Sequence, residues 1–313
     1  MKIHNCKQGE PEWLTLRTGL ITGTDAAPWM LEPKTIGLTV PQIQAELDRF
    51  GIAYLKSAAK PKLVALLPNP EDYMKLSTAA RTLIYKKLAE KKRQDPWQLA
   101  QTAMKERQMS HMIPIQRGNA LEPAARDYYA RRTGNTVVQV GFVSNDFMEW
   151  GMSPDGVIYD TKGLDSTILA TGVRDLGILK GVEIKCPMPE THTAWLLDAI
   201  IPAEHEYQCH MGMVSCECDE WDFLSFCPGE APLLLTLHRN ETTDALAAGL
   251  EIIVEAMADI EQELAAKWDD AFGSEENRKL LSYLNGQPMF GVDGMPLDQD
   301  GRPIECEPEG RAS

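Results

Sequence analysis

The 313-residue chain is 43% hydrophobic and 25% charged, which is the composition of an ordinary globular protein, and its formal net charge is −15. The opening stretch MKIHNCKQGEPEW lacks the apolar core of a signal peptide, and no stretch approaches the roughly eighteen unbroken apolar residues of a membrane span, so we expect a cytoplasmic protein with no membrane partner. The seven cysteines are an odd number for a disulfide framework, and we expect them to stay reduced.

Residues 10–29 predict a short amphipathic helix, a turn at Gly19 and a second helix that begins at Thr22 or Thr24. Threonine is a favourable N-cap, and the first N–H groups of a helix have no partner within the helix. The backbone near Thr24 would therefore face an anion. Trp13 and Trp29 are assigned to core packing rather than to base stacking.

Residues 38–67 predict a compact unit of two short helices. Thr39 is placed to cap the first helix, Gly51 suits its C-terminal turn, and the leucines of residues 63–67 supply the second helix. The unit resembles the SAP and HeH modules, which are small helical units that often bind DNA.

That resemblance implies a helical insertion over residues 34–69, with Lys56, Lys60 and Lys62 as candidate DNA contacts. A purely structural insertion is the alternative. Residues 1–33 and 70–285 would then form one discontinuous core. The tail at residues 286–313 is rich in Gly, Pro and Asp, and we expect it to be flexible.

The rest of the chain alternates helical and strand-like segments. Residues 73–107 are helical and basic, and a helix over residues 118–132 would place Glu122 on the same side as Arg126 and Tyr129. Strands are predicted over residues 136–143, 147–152, 157–160, 179–185 and 221–227, and helices over residues 203–214 and 241–270.

Positive charge is concentrated in one part of the chain. Residues 49–132 contain 17 Lys and Arg against 7 Asp and Glu, a net charge of +10, which leaves −25 for the remainder. Because salt limits the reach of distant acids to about 8 Å, such a zone can attract nucleic acid despite the acidic whole. Solvated basic helix faces explain the same count equally well.

Two short stretches carry the chemistry. In WGMSPDGVIYD, Asp155 lies in a turn between apolar runs, and in GVEIKCP, Glu183 and Lys185 lie two apart and share one face of a strand. If the first strand pair ends at Asp155, its carboxylate converges with Glu183. Two buried carboxylates repel each other unless a cation lies between them, and oxygen ligands suit a hard divalent ion such as Mg²⁺.

Four ordered blocks of residues 10–230 resemble the lambda-type (YqaJ-like) phage exonucleases of the PD-(D/E)XK nuclease superfamily. The blocks are WLTLRTGLITGTDAA at 13–27, RGNALEPAARDYY at 117–129, the pair SPDG at 153–156 and VEIKCP at 182–187, and EYQCHMGM at 206–213. Each block alone is weak, but their combination and order are specific.

The resemblance implies a role for individual residues of this chain. Asp155, Glu183 and the Ile184 carbonyl would be metal ligands, with Glu122 as a helix acid near a second metal. The other implied site residues are the catalytic lysine Lys185, the site-ordering Gln208, and Arg17 and Thr24 as holders of a DNA phosphate. Thr24 stands where the family more often has Ser, and the hydroxyl is kept.

The resemblance also implies the fold and the function. The fold would be an α/β restriction-endonuclease-like core with a mixed central sheet flanked by helices. The activity would be hydrolysis of linear double-stranded DNA, 5′ to 3′, with two Mg²⁺ ions, for which Mn²⁺ is a substitute. The implied assembly is a trimer around DNA with a single-strand annealing protein as partner, in a phage or prophage context within a bacterial host.

Two alternatives stay open. One is an endonuclease of the same superfamily, and the other is a catalytically silent DNA-binding protein. A silent protein would be expected to lack Asp155, Glu183 or Lys185, and this sequence has all three. The sequence leaves open whether Asp146 or Glu149 adds an acid to the site. The C-x-C-x₈-C spacing of residues 216–227 matches neither the iron-sulfur pattern of nucleases in this superfamily nor a C-x₂-C zinc knuckle.

Overall fold

The computed structural model describes residues 1–91, 112–159 and 177–272, together with residue 274 and two short strands near the C-terminus. Most of the tail predicted at residues 286–313, and the second half of the basic segment at residues 73–107, lie outside the described residues. No helix within the described residues is long and apolar enough to cross a membrane.

Eight α-helices and three 3₁₀ turns alternate with twelve strands along the described parts of the chain. The helices are α1 Pro11–Arg17, α2 Val40–Arg49, α3 Lys60–Val64, α4 Thr78–Lys91, α5 Ile113–Thr133, α6 Pro189–Asp198, α7 Ala203–Cys216 and α8 Glu241–Phe272. The 3₁₀ turns are Gly23–Asp25, Pro28–Leu31 and Pro70–Tyr73. The strands are β1 Lys2–His4, β2 Ile21–Thr22, β3 Lys34–Ile36, β4 Met74–Leu76, β5 Phe142–Ser144, β6 Trp150–Met152, β7 Gly156–Tyr159, β8 Ile178–Lys185, β9 Glu220–Ser225, β10 Leu233–His238, β11 Met289–Phe290 and β12 Pro296–Leu297.

Two four-stranded mixed sheets form the body of the protein. One has the order β1-β5-β6-β2, and the other has the order β10-β9-β8-β7. In the second sheet β8 runs parallel to β9 and antiparallel to β7, while β9 and β10 are antiparallel. The predicted α/β class, with mixed sheets flanked by helices, is confirmed.

A close contact joins the second sheet to α7 through Trp221 of β9. The indole of Trp221 is fully buried, and a Cβ at Gly181 of β8 would lie 2.3 Å from it, whereas one at Gly212 of α7 would lie 2.7 Å from it. Only glycine leaves room for the indole at these two positions, so α7 packs tightly over the strands that carry the candidate site.

The segment between β3 and β4 has a small hydrophobic core of its own. Ile43 and Leu47 of α2 pack with Leu63 and Leu67, and all four side chains are buried. The antiparallel pair β3 and β4 brings the two ends of the segment together. The boundaries proposed for an insertion and the SAP-like character of this segment stay predictions.

The second helix predicted near Thr22 is wrong, since two 3₁₀ turns stand in its place. The first turn ends at Asp25, and Ala27 then takes an extended conformation at φ −158° and ψ 161°. Pro28 explains this difference because a proline disfavours the helical region for the residue that precedes it.

Two predicted strands are shorter than expected. The run over residues 136–143 has only the isolated bridge between Val138 and Val157 before β5 begins, and the run over residues 147–152 starts only at β6. A turn replaces the missing part: Glu149 N–H donates to Asn145 Oδ1 at 2.8 Å, and Met148 has a φ of +59°.

Candidate active site

Asp155 lies directly before β7, at the end of the sheet where β7 pairs with β8. The register places Gly156 opposite Val182, so Asp155 is level with Glu183 of β8. Asp155 Oδ2 accepts a hydrogen bond of 2.7 Å from the backbone N–H of Ile184. The turn of SPDG is therefore fastened to the strand that carries the other candidate residues.

The alternation of β8 separates its core side chains from its polar ones. Val182 and Ile184 are buried in an apolar cluster with Ala125 of α5. Glu183 and Lys185 share the opposite face, where the Glu183 side chain is 8% exposed and that of Lys185 is 28% exposed. The Lys185 ammonium donates a hydrogen bond to Glu183 Oε1.

The charges at this end of the sheet shift two pKa values. Burial raises the pKa of Asp155 well above its usual range, and the neighbouring Glu183 carboxylate raises it further, although Lys185 and the Ile184 N–H act in the opposite direction. Burial lowers the pKa of Lys185, but the carboxylates of Glu183 and Asp155 outweigh burial and raise it overall. The lysine therefore stays an ammonium ion at neutral pH.

The backbone carbonyl of Ile184 faces the same edge of β8 as Asp155. In a strand the N–H and C=O of one residue point to the same neighbour. The Ile184 N–H is directed to Asp155, whereas the carbonyl of Lys185 accepts a hydrogen bond of 2.8 Å from Phe226 N–H on the β9 side. An oxygen of Ile184 is thus available on the Asp155 side.

Glu122 of α5 lines the same cavity as Asp155, Ile184 and Lys185. Its carboxylate is held by an ion pair with Arg126, one turn further along the helix, and Arg126 Nε also donates to the Asp155 carbonyl at 2.8 Å. The sequence placed Arg126 beside Glu122 but gave no sign of its contact with Asp155.

The donor atoms around Asp155 are of the kind that a divalent metal ion prefers. Asp155 and Glu183 are acidic oxygen donors; burial and then the repulsion by Glu183 raise the pKa of Asp155, and a cation would relieve this repulsion. No group of three or more His, Cys, Asp or Glu side chains in the described residues is close enough to hold a metal. The two carboxylates and the Ile184 carbonyl fit a divalent ion in the chemistry of their donor atoms, whereas one oxygen of Glu122 is paired with Arg126.

Lys185 also lines a second cavity, which has a volume of about 190 Å³. It is lined by Gln8, Trp13, Arg17, Gly23, Thr24, Met152, Ser153, Glu183, Lys185 and Gln208. The structure thus brings Arg17, Thr24 and Gln208, which the sequence distributes over two blocks, to one cavity with Glu183 and Lys185.

Arg17 is the cationic side chain at the α1 end of this cavity. Its guanidinium lies over the Trp13 ring, 4.1 Å from the ring centroid. Burial lowers the pKa of Arg17, while Asp25 and Glu90 act in the opposite direction. An arginine stays charged at any pH of interest, so this cavity contains a fixed positive charge.

Thr24 reaches the cavity from the first 3₁₀ turn. Its hydroxyl lies 3.0 Å from the Thr22 hydroxyl, and Thr22 Oγ1 and N–H each donate to Asp25 Oδ2 at 2.9 Å. The expectation that a helix N-terminus faces an anion at Thr24 is not met, because this turn has three residues only.

Gln208 of α7 lies at the wall of the same cavity. Its Oε1 atom is buried, and its side chain interacts with the His205 imidazole: burial, the largest effect, lowers the pKa of His205, and the contact with Gln208 opposes it. Gln208 therefore contacts His205 as well as facing the cavity.

Trp13 and Gln8 were not predicted as site residues. Trp13 Nε1 donates to Ser153 Oγ at 2.7 Å and to the Gly141 carbonyl at 3.1 Å, and Gln8 Nε2 donates to the Pro154 carbonyl at 3.1 Å. Both side chains fasten the SPDG turn to the N-terminal segment. The assignment of Trp13 to core packing missed this role because its partners are more than a hundred residues away.

Other candidates lie outside the two cavities. Lys56, Lys60 and Lys62 are exposed, and Lys60 donates to the Ile36 carbonyl at 3.1 Å. Asp146 lies 3.0 Å from the Met1 amino group, and Glu149 accepts from the Asn145 amide at 2.8 Å. Neither of these acids lines the cavities around Lys185.

The chain is similar to one protein family and to several solved structures. Residues 76–219 match one family model, described as the YqaJ-like viral recombinase domain. No curated protein sequence matches the chain. The match excludes residues 13–27, so the roles assigned to Arg17 and Thr24 lie outside it.

The solved structures similar to this chain include an alkaline exonuclease (LHK-Exo) from Laribacter hongkongensis, alone and in complex with dAMP. Both are 22% identical over 84% of this chain and 98% of theirs, with TM-scores of 0.48 and 0.47. A phage related exonuclease from Haemophilus somnus 129PT is 12% identical over 61% of this chain and 86% of its own, with a TM-score of 0.38. At these TM-scores the likeness does not establish a common fold.

Proposed function

We propose that the protein is a metal-dependent exonuclease that degrades linear double-stranded DNA, and the match of residues 76–219 to the YqaJ-like viral recombinase domain supports this proposal. The observation that carries this proposal is the meeting of Asp155, Glu183 and Lys185 at one end of the β7–β8 pair. Carboxylates beside a lysine, next to a cavity that contains a fixed positive charge, suit the hydrolysis of a phosphodiester.

Asp155, Glu183 and the Ile184 carbonyl would hold a divalent ion, with Mg²⁺ as the expected metal and Mn²⁺ as a substitute. Glu122 would serve a second ion. When bound, the metal would supply an acidic water and neutralise charge on the phosphate. Lys185, whose pKa is raised, keeps its proton and stabilises the negative charge that develops on the reacting phosphate.

An exonuclease needs an anchor for the end of the strand. Arg17 and Thr24 would bind the terminal 5′ phosphate, and the Gln208 amide would orient the groups around it. Because these residues share a cavity with Glu183 and Lys185, a bound terminal phosphate would lie close to the reacting bond. This proximity favours an exonuclease that works 5′ to 3′ over an endonuclease.

We further propose that the protein acts as a trimer around duplex DNA and supplies single strands to an annealing protein in phage-type recombination. The uneven charge supports an encircling assembly, since residues 49–132 carry +10 and the rest of the chain carries −25. Sedimentation at several protein concentrations measures the oligomer, and a monomer that degrades DNA processively would contradict the ring.

Digestion of linear duplexes labelled at either the 5′ or the 3′ end tests the proposed activity. We expect nucleotides to be released in Mg²⁺ but not in EDTA, with the 5′ label released first, and a circular duplex to stay intact. Cleavage of the circle would favour an endonuclease. Binding without any cleavage would favour a silent DNA-binding protein.

A further inference from the structure

We propose that Lys87 of α4 is a positioning residue of the terminal-phosphate cavity, the cavity of about 190 Å³ that Arg17 and Thr24 line. Lys87 would act through Asp25 and Thr22 on the hydroxyl of Thr24. This inference rests on the proposed phosphate-binding role of Arg17 and Thr24. It concerns a residue that itself lies outside the cavity, and it assigns to α4 a part in recognising the end of the DNA.

The carboxylate of Asp25 is the centre of the arrangement. Its Oδ2 atom accepts from both the N–H and the hydroxyl of Thr22 at 2.9 Å, and the Thr22 hydroxyl lies 3.0 Å from that of Thr24. Since the Thr22 hydroxyl donates its proton to Asp25, it cannot also donate to Thr24, so the Thr24 hydroxyl can turn its own proton to a phosphate oxygen. The role of Thr24 as a donor to the phosphate thus depends on Asp25 holding the Thr22 proton.

Lys87 determines where the Asp25 carboxylate lies. Lys87 Nζ is 2.8 Å from Asp25 Oδ2, and the two side chains are only 5% and 8% exposed. Lys86 also approaches Asp25, at 3.3 Å from Oδ1, but its side chain is 58% exposed. A buried charge pair has little freedom to rearrange, whereas an exposed pair is weakened by solvent.

The same turn of α4 also holds the loop that follows Arg17. Lys87 Nζ lies 3.4 Å from Glu90 Oε2, and this oxygen accepts from the Gly19 N–H at 3.3 Å. Gly19 has a φ of +73°, and a Cβ there would lie 3.3 Å from the Lys87 carbonyl. One lysine therefore connects the two segments that carry Arg17 and Thr24.

The preference of the cavity for a 5′ phosphate over a 5′ hydroxyl is measured by DNA binding, so that the test does not require hydrolysis. The affinities of one duplex with a 5′ phosphate and the same duplex with a 5′ hydroxyl are determined by fluorescence anisotropy in EDTA. In Lys87→Met we expect the ratio of the two affinities to fall by about fivefold, the loss of roughly one hydrogen bond, with the affinity for the hydroxyl end kept. Both ends are measured on the same preparation, so any unfolded fraction cancels in the ratio.

Lys86→Met is the matched control, and we expect its ratio to stay within about twofold of wild type. Asp25→Ala is a second variant that removes the same connection from the other side, and we expect the loss seen in Lys87→Met. An unchanged ratio in Lys87→Met, an equal loss of both affinities, or the same effect in Lys86→Met would overturn the proposal. A wild-type protein with no preference for the 5′ phosphate would also overturn the proposal. That result would not contradict the proposed roles of Asp155, Glu183 and Lys185 in cleavage.

Discussion

The carboxylate of Asp155 and the backbone N–H of Ile184 are joined by a hydrogen bond of 2.7 Å. This bond connects the turn before β7 to Ile184 of β8, the residue that lies between Glu183 and Lys185. Arg126 holds the backbone of the same turn through the Asp155 carbonyl. The position of the candidate acid is therefore determined from both sides before any ligand binds.

Asp155→Asn is expected to abolish cleavage and to raise the melting temperature in metal-free buffer. An amide oxygen still accepts from the Ile184 N–H, but the variant lacks the charge whose burial and repulsion by Glu183 raise the pKa of Asp155. Each 1 kcal/mol of relief raises the melting temperature of a protein this size by roughly 2–4 °C. Thermal unfolding measures the melting temperature, and Asp127→Asn, at an exposed residue, is the control. A lower melting temperature than wild type would contradict the assignment.

Arg17→Ala is expected to remove the preference for a phosphorylated 5′ end. Loss of a charge-assisted contact to a phosphate would lower the relative rate on phosphorylated ends by about tenfold or more. Initial rates on duplexes with 5′-phosphate and 5′-hydroxyl ends give the ratio. The exposed Arg131→Ala is the matched control. If the ratio in Arg17→Ala equals that of wild type, the guanidinium does not bind the terminal phosphate.

The exposed lysines of the segment between β3 and β4 offer a test of its role. We expect the triple variant Lys56→Gln, Lys60→Gln and Lys62→Gln to weaken DNA binding and to reduce the slope of log affinity against log salt by up to about 0.9 for each lysine. Cleavage at saturating DNA should persist. The double variant Lys2→Gln, Lys267→Gln is the control. A slope equal to that of wild type would make the segment structural.

The stability contributed by Asp25 should depend on pH. Burial raises the pKa of Asp25, but the charge and hydrogen bond of Lys87, the Thr22 N–H and Lys86 outweigh burial and lower it below 3.8. The folded protein then holds this proton less tightly than the unfolded chain, so the ionised group stabilises the fold above pH 3.8 and the contribution is lost as the pH falls through the folded pKa.

Urea unfolding of wild type and Asp25→Asn from pH 7 downwards measures this contribution. At pH 7 we expect the variant to be less stable by about 1–3 kcal/mol, the cost of weakening a charged hydrogen bond. The difference in free energy of unfolding should shrink as the medium becomes acidic. If the difference in free energy of unfolding between wild type and Asp25→Asn does not change with pH, the charge of Asp25 does not contribute to stability.

The sequence was sufficient to predict the strand that carries Glu183 and Lys185. Its alternation places Val182 and Ile184 in the core, and alternation is a local property that a single strand displays. The helix that carries Glu122 was predicted for a similar reason, although it begins five residues earlier than expected, at Ile113. Local patterns were enough for these elements.

Long-range contacts could not be predicted in the same way. The bond of Trp13 to Ser153 and the ion pair of Lys87 with Asp25 join distant segments, and no periodicity in the chain signals either of them. The prediction of a helix at Thr24 was wrong because Pro28 disfavours the helical conformation of Ala27. The prediction gave more weight to the N-cap pattern than to this local effect of proline.

We propose that Glu183, with Asp155, holds a divalent ion beside Lys185. The most direct test of this claim is the rate of nucleotide release from one linear duplex as Mg²⁺ is titrated, for wild type, Glu183→Gln and the exposed control Glu190→Gln. We predict release that depends on Mg²⁺ in wild type and control, and a rate lower by about 100-fold or more in Glu183→Gln, with DNA binding retained. Release by wild type in EDTA, or wild-type turnover by Glu183→Gln, would contradict the claim.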